Sequence, residues 1–420
     1  MTEGVQLPPP VEARLSEIGA ADVLVGIPSF NNARTIGHVA RAAAAGLAKH
    51  FPQLRGVIVN SDGGSRDGTP EVVAAVEFPA PATILVSHPL NPVHKIVTPY
   101  NGIPGKGSAF RTIFAIAERL RARACVVVDS DLRSITPGWI ELLAGPVVNE
   151  GFDFVTPLYL RHKYDGTITN SIVYPLTRAL YGKDVRQPIG GDFGFSGRLA
   201  SHYLKKPVWD SNVARFGIDI WMTSTALADG FRVCQSFLGA KIHDAKDPGA
   251  DLAAMFVQVV SSVFDLMDTY HDRWASTTAA EAVPLFGFPH GVGLEPIAVN
   301  VERMLGIFRQ GVRDLREIWE KALAGPTLAE VLALGAAADE PFRFPDPLWV
   351  RVVYDFAVAY HQRVLPGDQL LGSMVPLYLG RTASFVLETA ECGSDEAEAM
   401  VKALGEEYLR QKADLLRRWG

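Results

Sequence analysis

The run Val126-Val127-Val128-Asp129-Ser130-Asp131-Leu132 places two carboxylates at i and i+2 directly after a short apolar stretch. Leaving a buried strand, such a pair can face one hard cation, Mg²⁺ or Mn²⁺. These ions take oxygen ligands and are held by one or two carboxylates plus substrate phosphates. The competing reading is a solvated turn in which Asp131 caps a following helix. Residues 61–69 (SDGGSRDGT) follow a second apolar run, 56–60 (GVIVN). There Asp62 can accept from a base or ribose hydroxyl, and the glycines allow close backbone approach to a ligand. Asp67 and Thr69 read as caps of the next helix. The turn Pro104-Gly105-Lys106-Gly107 opens a helical stretch, so its amides and the Lys106 ammonium can meet a diphosphate. It lacks the Walker spacing and is not a P-loop. His243 in residues 241–244 (KIHD), Asp192 after Gly190 and Gly191 (QPIGGD), and Asp219 (FGID) each add one titratable group at a turn. Taken singly, a hydrogen-bonding structural histidine and capped turns account for them.

The elements that must position these residues alternate. Residues 23–27 (VLVGI), 56–60, 82–87 (ATILVS) and 124–128 (ACVVV) read as strands, and 35–49 and 108–123 as helices. The run 124–128 is apolar on both faces, as a central parallel strand should be. The alternation predicts an α/β, Rossmann-like, mostly parallel sheet with helices on both sides. The chemistry-bearing turns, including residues 29–32 (SFNN), then lie at the carboxyl ends of strands, where open α/β sheets bind ligands. Beyond about residue 250 the 3/4 apolar spacing dominates, at 252–271, 349–360, 375–391 and 396–418. No strand signal of weight follows residues 241–243. Residues 277–296, with Pro284, Pro289 and Pro296 among Gly287, Gly291 and Gly293, read as an irregular connection. The expected organisation is an α/β domain over 1–250 and an all-helical domain over 251–420.

Composition bounds the function classes. The chain has 420 residues, 48% hydrophobic and 20% charged, which excludes a disordered or fibrous protein. A formal charge of −6 and pI ≈ 6.0 argue against nucleic acid as a partner. Cys125, Cys234 and Cys392 are far apart, with no CxxC pair, so neither a zinc site nor a disulfide framework is written here. The first twenty residues show no signal-like apolar region. The runs 42–48 and 124–128 fall short of the ~20 residues a membrane helix needs. These features predict a cytoplasmic protein without a membrane partner. The apolar stripes of the helical part exceed what one sheet face can cover, which points to a homodimer.

The order of the motifs is more specific than any one of them. A Pro28-Ser29-Phe30 turn, DGGSxDGT, GKG, DxD, GGD and a late histidine resemble the GT-A glycosyltransferases of the family-2 kind over residues 22–265. Within them, the resemblance is to the mannosylglycerate synthase and glucosyl-3-phosphoglycerate synthase group. Residues 104–118 (PGKGSAFRTIFAIAE), 129–140 (DSDLRSITPGWI), 187–197 (QPIGGDFGFSG), 216–230 (FGIDIWMTSTALADG) and 239–247 (GAKIHDAKD) carry it. The resemblance implies a GT-A fold and a nucleotide-diphosphate sugar donor, GDP-mannose or UDP-glucose. It also implies a divalent metal and retaining transfer of a hexose to the 2-hydroxyl of D-glycerate. Asp131 and His243 would ligate the metal, with Asp129 completing the DxD. Pro28, Ser29, Phe30, Asp62 and Ser130 would frame the nucleotide, and Lys106, Gly190, Gly191, Asp192 and Asp219 the diphosphate and sugar. Of these, Asp131, Lys106, Asp192 and Asp219 form the expected catalytic set. Arg161, Asp165, Gly166, Thr169 and Met255 match the acceptor pocket, where an Arg fork pairs with a carboxylate. Two positions depart from the pattern: Thr167 stands where phosphoglycerate-using relatives carry Arg, and the family's GGE is GGD. Missing that cation, the acceptor is expected to be free glycerate or a similar hydroxy acid. The alternatives are transfer to 3-phosphoglycerate or a polyprenyl phosphate, and a non-catalytic nucleotide-sugar-binding protein.

Overall fold

A computed structural model describes residues 5–77, 82–87, 105–242, 252–291, 293–294, 297–336 and 342–420. Three residues singled out above, Pro104, His243 and Pro296, lie outside the described residues. The chain begins with α1 (Pro9–Ile18), β1 (Val23–Ser29), α2 (Ile36–His50), β2 (Gly56–Asp62), α3 (Thr69–Ala74) and β3 (Ala82–Ser87). Next come α4 (Lys106–Arg119), β4 (Ala124–Val127), α5 (Pro137–Glu150) and β5 (Phe154–Leu160). A π-helical turn, Thr169–Val173, leads into α6 (Tyr174–Tyr181), β6 (Lys183–Asp184), β7 (Phe193–Ser196) and α7 (Gly197–Leu204). A 3₁₀ turn at Asn212–Ala214 precedes α8 (Ile218–Ala228) and β8 (Val233–Ala240). Then follow α9 (Leu252–Thr269), α10 (His271–Ala275), β9 (Glu281–Ala282) and β10 (Leu285–Phe286). The remainder is helical: α11 (Val301–Asp314), α12 (Arg316–Ala322), α13 (Gly325–Ala336), α14 (Asp346–His361), α15 (Gly367–Glu388) and α16 (Ser394–Trp419).

Two compact units result. One comprises Met1–Leu160, Ile189–Lys246 and Val283–Val292; the other comprises Arg161–Pro188, Asp247–Ala282 and Gly293–Gly420. A single boundary at residue 250 is coarser than this division. Residues 161–188 group with the helices because Trp349 Nε1 and the Tyr408 hydroxyl both donate to the Ser171 carbonyl, at 2.8 and 3.0 Å.

The first unit is built on one eight-stranded sheet, ordered β10-β8-β5-β7-β4-β1-β2-β3. All pairings are parallel except those of β7, which runs antiparallel to both β4 and β5. Every residue of β1 and β4 is buried, as expected for strands covered by helices on both faces. On one face, Val25 and Val126 join Val39 and Ala43 of α2 and Ile140 and Leu143 of α5 in a single core. On the other, α4 packs so closely that a Cβ at Gly26 would lie 2.6 Å from Ile113 Cγ2. The mostly parallel α/β expectation is met. The sequence reading missed β5, β7 and β8, and its statement that no strand follows residue 243 is corrected by β9 and β10. The latter adds to the sheet edge through two residues, Leu285 opposite Gln235 and Phe286 opposite Ser236. Two residues are too few for any periodic signal.

The second unit is helical apart from a two-residue parallel ladder, Lys183–Asp184 with Glu281–Ala282. Its core is aromatic: Trp274, Trp319, Trp349, Tyr354, Tyr378 and Tyr408 are fully buried. Among the described residues one helix, α15, is long and apolar enough to cross a membrane, but 72% of its apolar window is buried inside the protein. That burial identifies it as a core helix. Cys125 and Cys234 are buried free thiols, and Cys392 is a half-buried one.

Candidate active site

The carboxyl ends of β4 and β8, the turn before β7 and the starts of α4 and α8 bring Lys106, Asp129, Gly190, Gly191, Asp192 and Asp219 into one polar cluster. Lys106 is the first residue of α4. Its Nζ lies 2.9 Å from Asp129 Oδ1 and 3.1 Å from Asp219 Oδ2. The helix start is held by close backbone packing, since a Cβ on Gly107 would meet the Val213 carbonyl oxygen at 1.9 Å. The Gly107 amide donates to the Arg215 carbonyl (3.2 Å). Of the amides expected to face a diphosphate, this one already has a partner; the Lys106 ammonium remains the cationic donor.

Asp129 is bound on both sides. Its Oδ2 accepts from Lys241 Nζ (2.8 Å), and its backbone N–H donates to Asp192 Oδ1 (2.8 Å). Burial acts to raise the Asp129 pKa, but Lys106 and Lys241 outweigh it and hold the carboxyl well below the usual carboxylate range. For Lys106, burial alone would lower the pKa, but the attraction of Asp129 and Asp219 reverses this and raises it. Asp192 and Asp219 are both raised, chiefly by burial. Two ammoniums thus face three carboxylates, an excess of negative charge that suits a cation.

Asp192 differs from the sequence expectation. It is fully buried, and its second oxygen accepts from both the Tyr159 hydroxyl and Lys241 Nζ. With both oxygens engaged inside the protein, Asp192 holds the DxD main chain. Gly191 sits at φ +89°, and a Cβ there would lie 2.4 Å from Asp129 Oδ2, so the turn requires glycine. The Gly190 carbonyl accepts from Lys241 Nζ at 2.8 Å. Asp219 is the opposite case: its Oδ1 is buried and has no hydrogen-bond partner among the described residues. An orphan acceptor of this kind is costly, and a ligand hydroxyl would satisfy it.

The nucleotide-side residues are tied to one another. The Ser130 hydroxyl donates to Asn32 Oδ1 (2.8 Å), and its carbonyl accepts from the Thr35 hydroxyl (2.8 Å). Pro28 and Ser29 end β1 in register with Ser61 and Asp62. The Phe30 amide donates to Asn32 Oδ1 at 3.1 Å. Asp62 accepts from the Ser29 hydroxyl, the Ser65 hydroxyl and the Gly64 and Ser65 amides, at 2.6–2.9 Å. Four donors fill a carboxylate's acceptor sites, so Asp62 holds the 62–65 turn. Any base or ribose contact would have to displace one of them. Asp67 Oδ1 accepts from the amide and hydroxyl of Thr69, the first residue of α3, and Oδ2 accepts from the Ala33 amide.

Asp131 stands apart. Helix α5 begins at Pro137 with Thr136 as its N-cap, which removes the reading of Asp131 as a helix cap. Its half-exposed carboxylate has no partner among the described residues. Among those residues no three His, Cys, Asp or Glu side chains converge as metal ligands. Asp131 fits as one oxygen ligand of a divalent ion. Asp129, with a lysine on each oxygen, fits only if one of them moves. Beside this turn the end of β8 is fastened by hydrogen bonds: Arg133 N–H to the Ile242 carbonyl (2.8 Å) and Ile242 N–H to the Ser134 hydroxyl (2.9 Å).

The acceptor set lies in the second unit. Arg161 Nη1 is 3.7 Å from Asp165 Oδ2, and Gly166 turns the loop at φ +64°. A Cβ on Gly166 would lie 3.5 Å from Arg161 Nη1 and 3.7 Å from Thr169 Oγ1, so Arg161, Gly166 and Thr169 converge. Thr169 opens the π-helical turn, a feature found disproportionately at functional sites. Thr167 is hydrogen-bonded to the Tyr378 hydroxyl, and Tyr378 packs against Phe256 with ring centroids 4.8 Å apart. Met255, half-buried on α9, is the neighbour of Phe256. Sequence reasoning missed Lys241, Tyr159 and Tyr378. Only Lys241, directly after the β8 run, carried a local signal.

No family model matches the chain, and no curated protein matches it. Among solved structures it is similar to glucosyl-3-phosphoglycerate synthase from Mycobacterium tuberculosis. The complex of that enzyme with Mn²⁺, UDP and phosphoglyceric acid is 23% identical with a TM-score of 0.45, covering 63% of this chain and 84% of that one. Its complex with Mn²⁺, UDP-glucose and glycerol 3-phosphate is 24% identical with a TM-score of 0.45, covering 63% and 86%. A mycobacterial protein is 23% identical with a TM-score of 0.43, covering 61% and 78%. At this level of similarity the reading of the site rests on the residues of this chain.

Proposed function

We propose that this protein is a divalent-metal-dependent retaining hexosyltransferase, moving a hexose from a nucleotide-diphosphate sugar to the 2-hydroxyl of D-glycerate or a similar small hydroxy acid. The observation that carries the reading is the partly buried cluster of Lys106, Asp129, Asp192, Asp219 and Lys241, with an unpartnered acceptor on Asp219 among the described residues. A cation-and-carboxylate site of this kind suits a donor that carries both an anionic diphosphate and a polyhydroxylated sugar.

A bound Mg²⁺ or Mn²⁺, held by Asp131 and, as the family resemblance implies, by His243, would offset charge on the leaving diphosphate as a Lewis acid. The chain's own residues do the rest. Lys106, which pairs with both Asp129 and Asp219, donates to a diphosphate oxygen and stabilises the charge that develops there. Asp219 Oδ1 accepts from a sugar hydroxyl and orients the ring. Asp129 and Asp192 keep the turn and the lysines in register. Arg161 forks onto the acceptor carboxylate, and Asp165 and Thr169 accept from and donate to its hydroxyls. Thr167, at the position where phosphoglycerate-using relatives carry Arg, is neutral and hydrogen-bonded to the Tyr378 hydroxyl, which supports the unphosphorylated acid. As the family resemblance implies, the acceptor oxygen attacks from the face the leaving group departs, and the leaving phosphate takes its proton.

The test is an end-point assay with Mg²⁺ or Mn²⁺, crossing GDP-mannose and UDP-glucose against D-glycerate, 3-phosphoglycerate and a polyprenyl phosphate. Product with D-glycerate and none with the phosphorylated acceptors is expected. Product with 3-phosphoglycerate alone would overturn the acceptor assignment, and donor binding without turnover would overturn the enzyme reading.

A further inference from the structure

We propose that Lys241 is a positioning residue of this site: it holds the Asp129 carboxylate and the 190–192 turn, and thereby leaves the Lys106 ammonium available to Asp219 and the donor. This role rests on the transferase reading above. The Lys241 ammonium is all but enclosed, with 5% of its side chain exposed, and meets three acceptors from two segments. They are Asp129 Oδ2 at 2.8 Å, the Gly190 carbonyl at 2.8 Å and Asp192 Oδ2 at 2.7 Å. The Tyr159 ring flanks the ammonium at 5.3 Å, and its hydroxyl donates to Asp192.

Asp192 and Lys241 therefore grip Asp129 at two points. Asp192 Oδ1 takes the Asp129 main-chain N–H, and Lys241 takes its side chain. The backbone just after Lys241 is itself fixed, because Ile242 exchanges hydrogen bonds with the turn that carries Asp131. Without Lys241, two buried carboxylates would lose their shared cation. Asp129 would then have Lys106 as its one remaining cation at ion-pair distance among the described residues. Attraction between buried opposite charges is strong, so Lys106 would be drawn wholly onto Asp129 and away from Asp219. The lysine thus acts on the donor through another residue.

The experiment compares full-length wild type with Lys241→Met, Lys241→Arg and Tyr159→Phe. It measures thermal melting, transfer kinetics, and calorimetric binding of UDP and GDP with Mn²⁺. In Lys241→Met, kcat and nucleoside-diphosphate affinity should each fall about 10- to 100-fold, the range for groups that orient a site from behind. The acceptor KM should stay at the wild-type value. Arginine should recover part of the loss, and Tyr159→Phe should show a smaller loss of the same kind. Wild-type kcat and affinity in Lys241→Met would overturn the role. So would a loss spread equally over donor and acceptor, tracking a lower melting temperature and not rescued by arginine. If Lys241→Met does not fold, the Lys241→Arg and Tyr159→Phe proteins carry the same comparison. If wild type binds nucleotide but transfers nothing, the transferase reading fails, and the affinity comparison alone decides the role of Lys241.

Discussion

Two lysines, one in each unit, live in opposite surroundings. Lys106 is ringed by carboxylates, with Asp129 and Asp219 at 2.9 and 3.1 Å. Lys412, 3% exposed, donates only to carbonyls: Ala179 at 2.9 Å, Trp274 at 2.5 Å and Thr277 at 2.8 Å. Burial lowers the Lys412 pKa to about 8, whereas around Lys106 the carboxylates outweigh burial and push it up. The three carbonyls that Lys412 ties off stand at or just beyond the ends of short helices, a scaffold role with no exchangeable partner. Lys106 has partners that an incoming anion can replace. A perturbed pKa alone does not separate a site from a scaffold; the identity of the partners does.

The comparison can be broken most easily at its functional end. Lys106→Met should lower transfer about 10²- to 10³-fold, the usual cost of deleting one preorganised donor at a developing charge, while Lys412→Met leaves transfer kinetics unchanged. Equal losses in the two variants would erase the distinction. A smaller effect is expected in the acceptor loop. Arg161→Met should raise the acceptor KM about 10- to 100-fold, as expected for losing a charged hydrogen bond, with the donor KM unchanged. A donor-side effect would place Arg161 elsewhere in the reaction.

The smallest effect sharpens the scaffold end. Because the folded Lys412 pKa of about 8 lies below the ordinary 10.5, the unfolded chain binds more protons between those values. Stability contributed by this group therefore rises as pH increases from about 8 towards 10.5, and the penalty for its charge is fully present below about 8. Wild type should gain melting temperature over that interval relative to Lys412→Met. Parallel pH curves for the two proteins would show that Lys412 is not the titrating group.

How much of this was legible in the sequence follows from where each residue sits. Asp129, Asp131 and Asp62 were found because each follows a short apolar strand run, and Lys106 because glycines flank it. Asp219 was found at the Gly-containing turn before α8. Lys241 follows such a run as well, in β8, yet a lone lysine reads as a solvated charge until three acceptors are folded around it. Tyr159 lies on β5, a strand the sequence reading missed. The strands β5, β7 and β8 were missed for different reasons: β7 has four residues, one of them glycine, and runs against its neighbours, β5 contains Pro157, and β8 is interrupted by Gln235, Ser236 and Gly239. Lys412 lies on an amphipathic helix, where charge normally faces water. Only tertiary packing could reveal that it points at Ala179 and Trp274. The engagement of Asp192 and Asp62 inside the protein was equally invisible, since a sequence shows acceptors but not how many donors reach them.

The central claim is that the strand-end cluster binds a nucleotide-diphosphate donor through a metal held by Asp131. Calorimetric titration of UDP and of GDP into wild type and Asp131→Ala, with Mn²⁺ and with a chelator, tests it most directly. At least one nucleotide should bind wild type only when Mn²⁺ is present, and Asp131→Ala, folded to the same melting temperature, should lose that binding. Metal-independent binding, or Mn²⁺-dependent binding retained in Asp131→Ala, would contradict the claim.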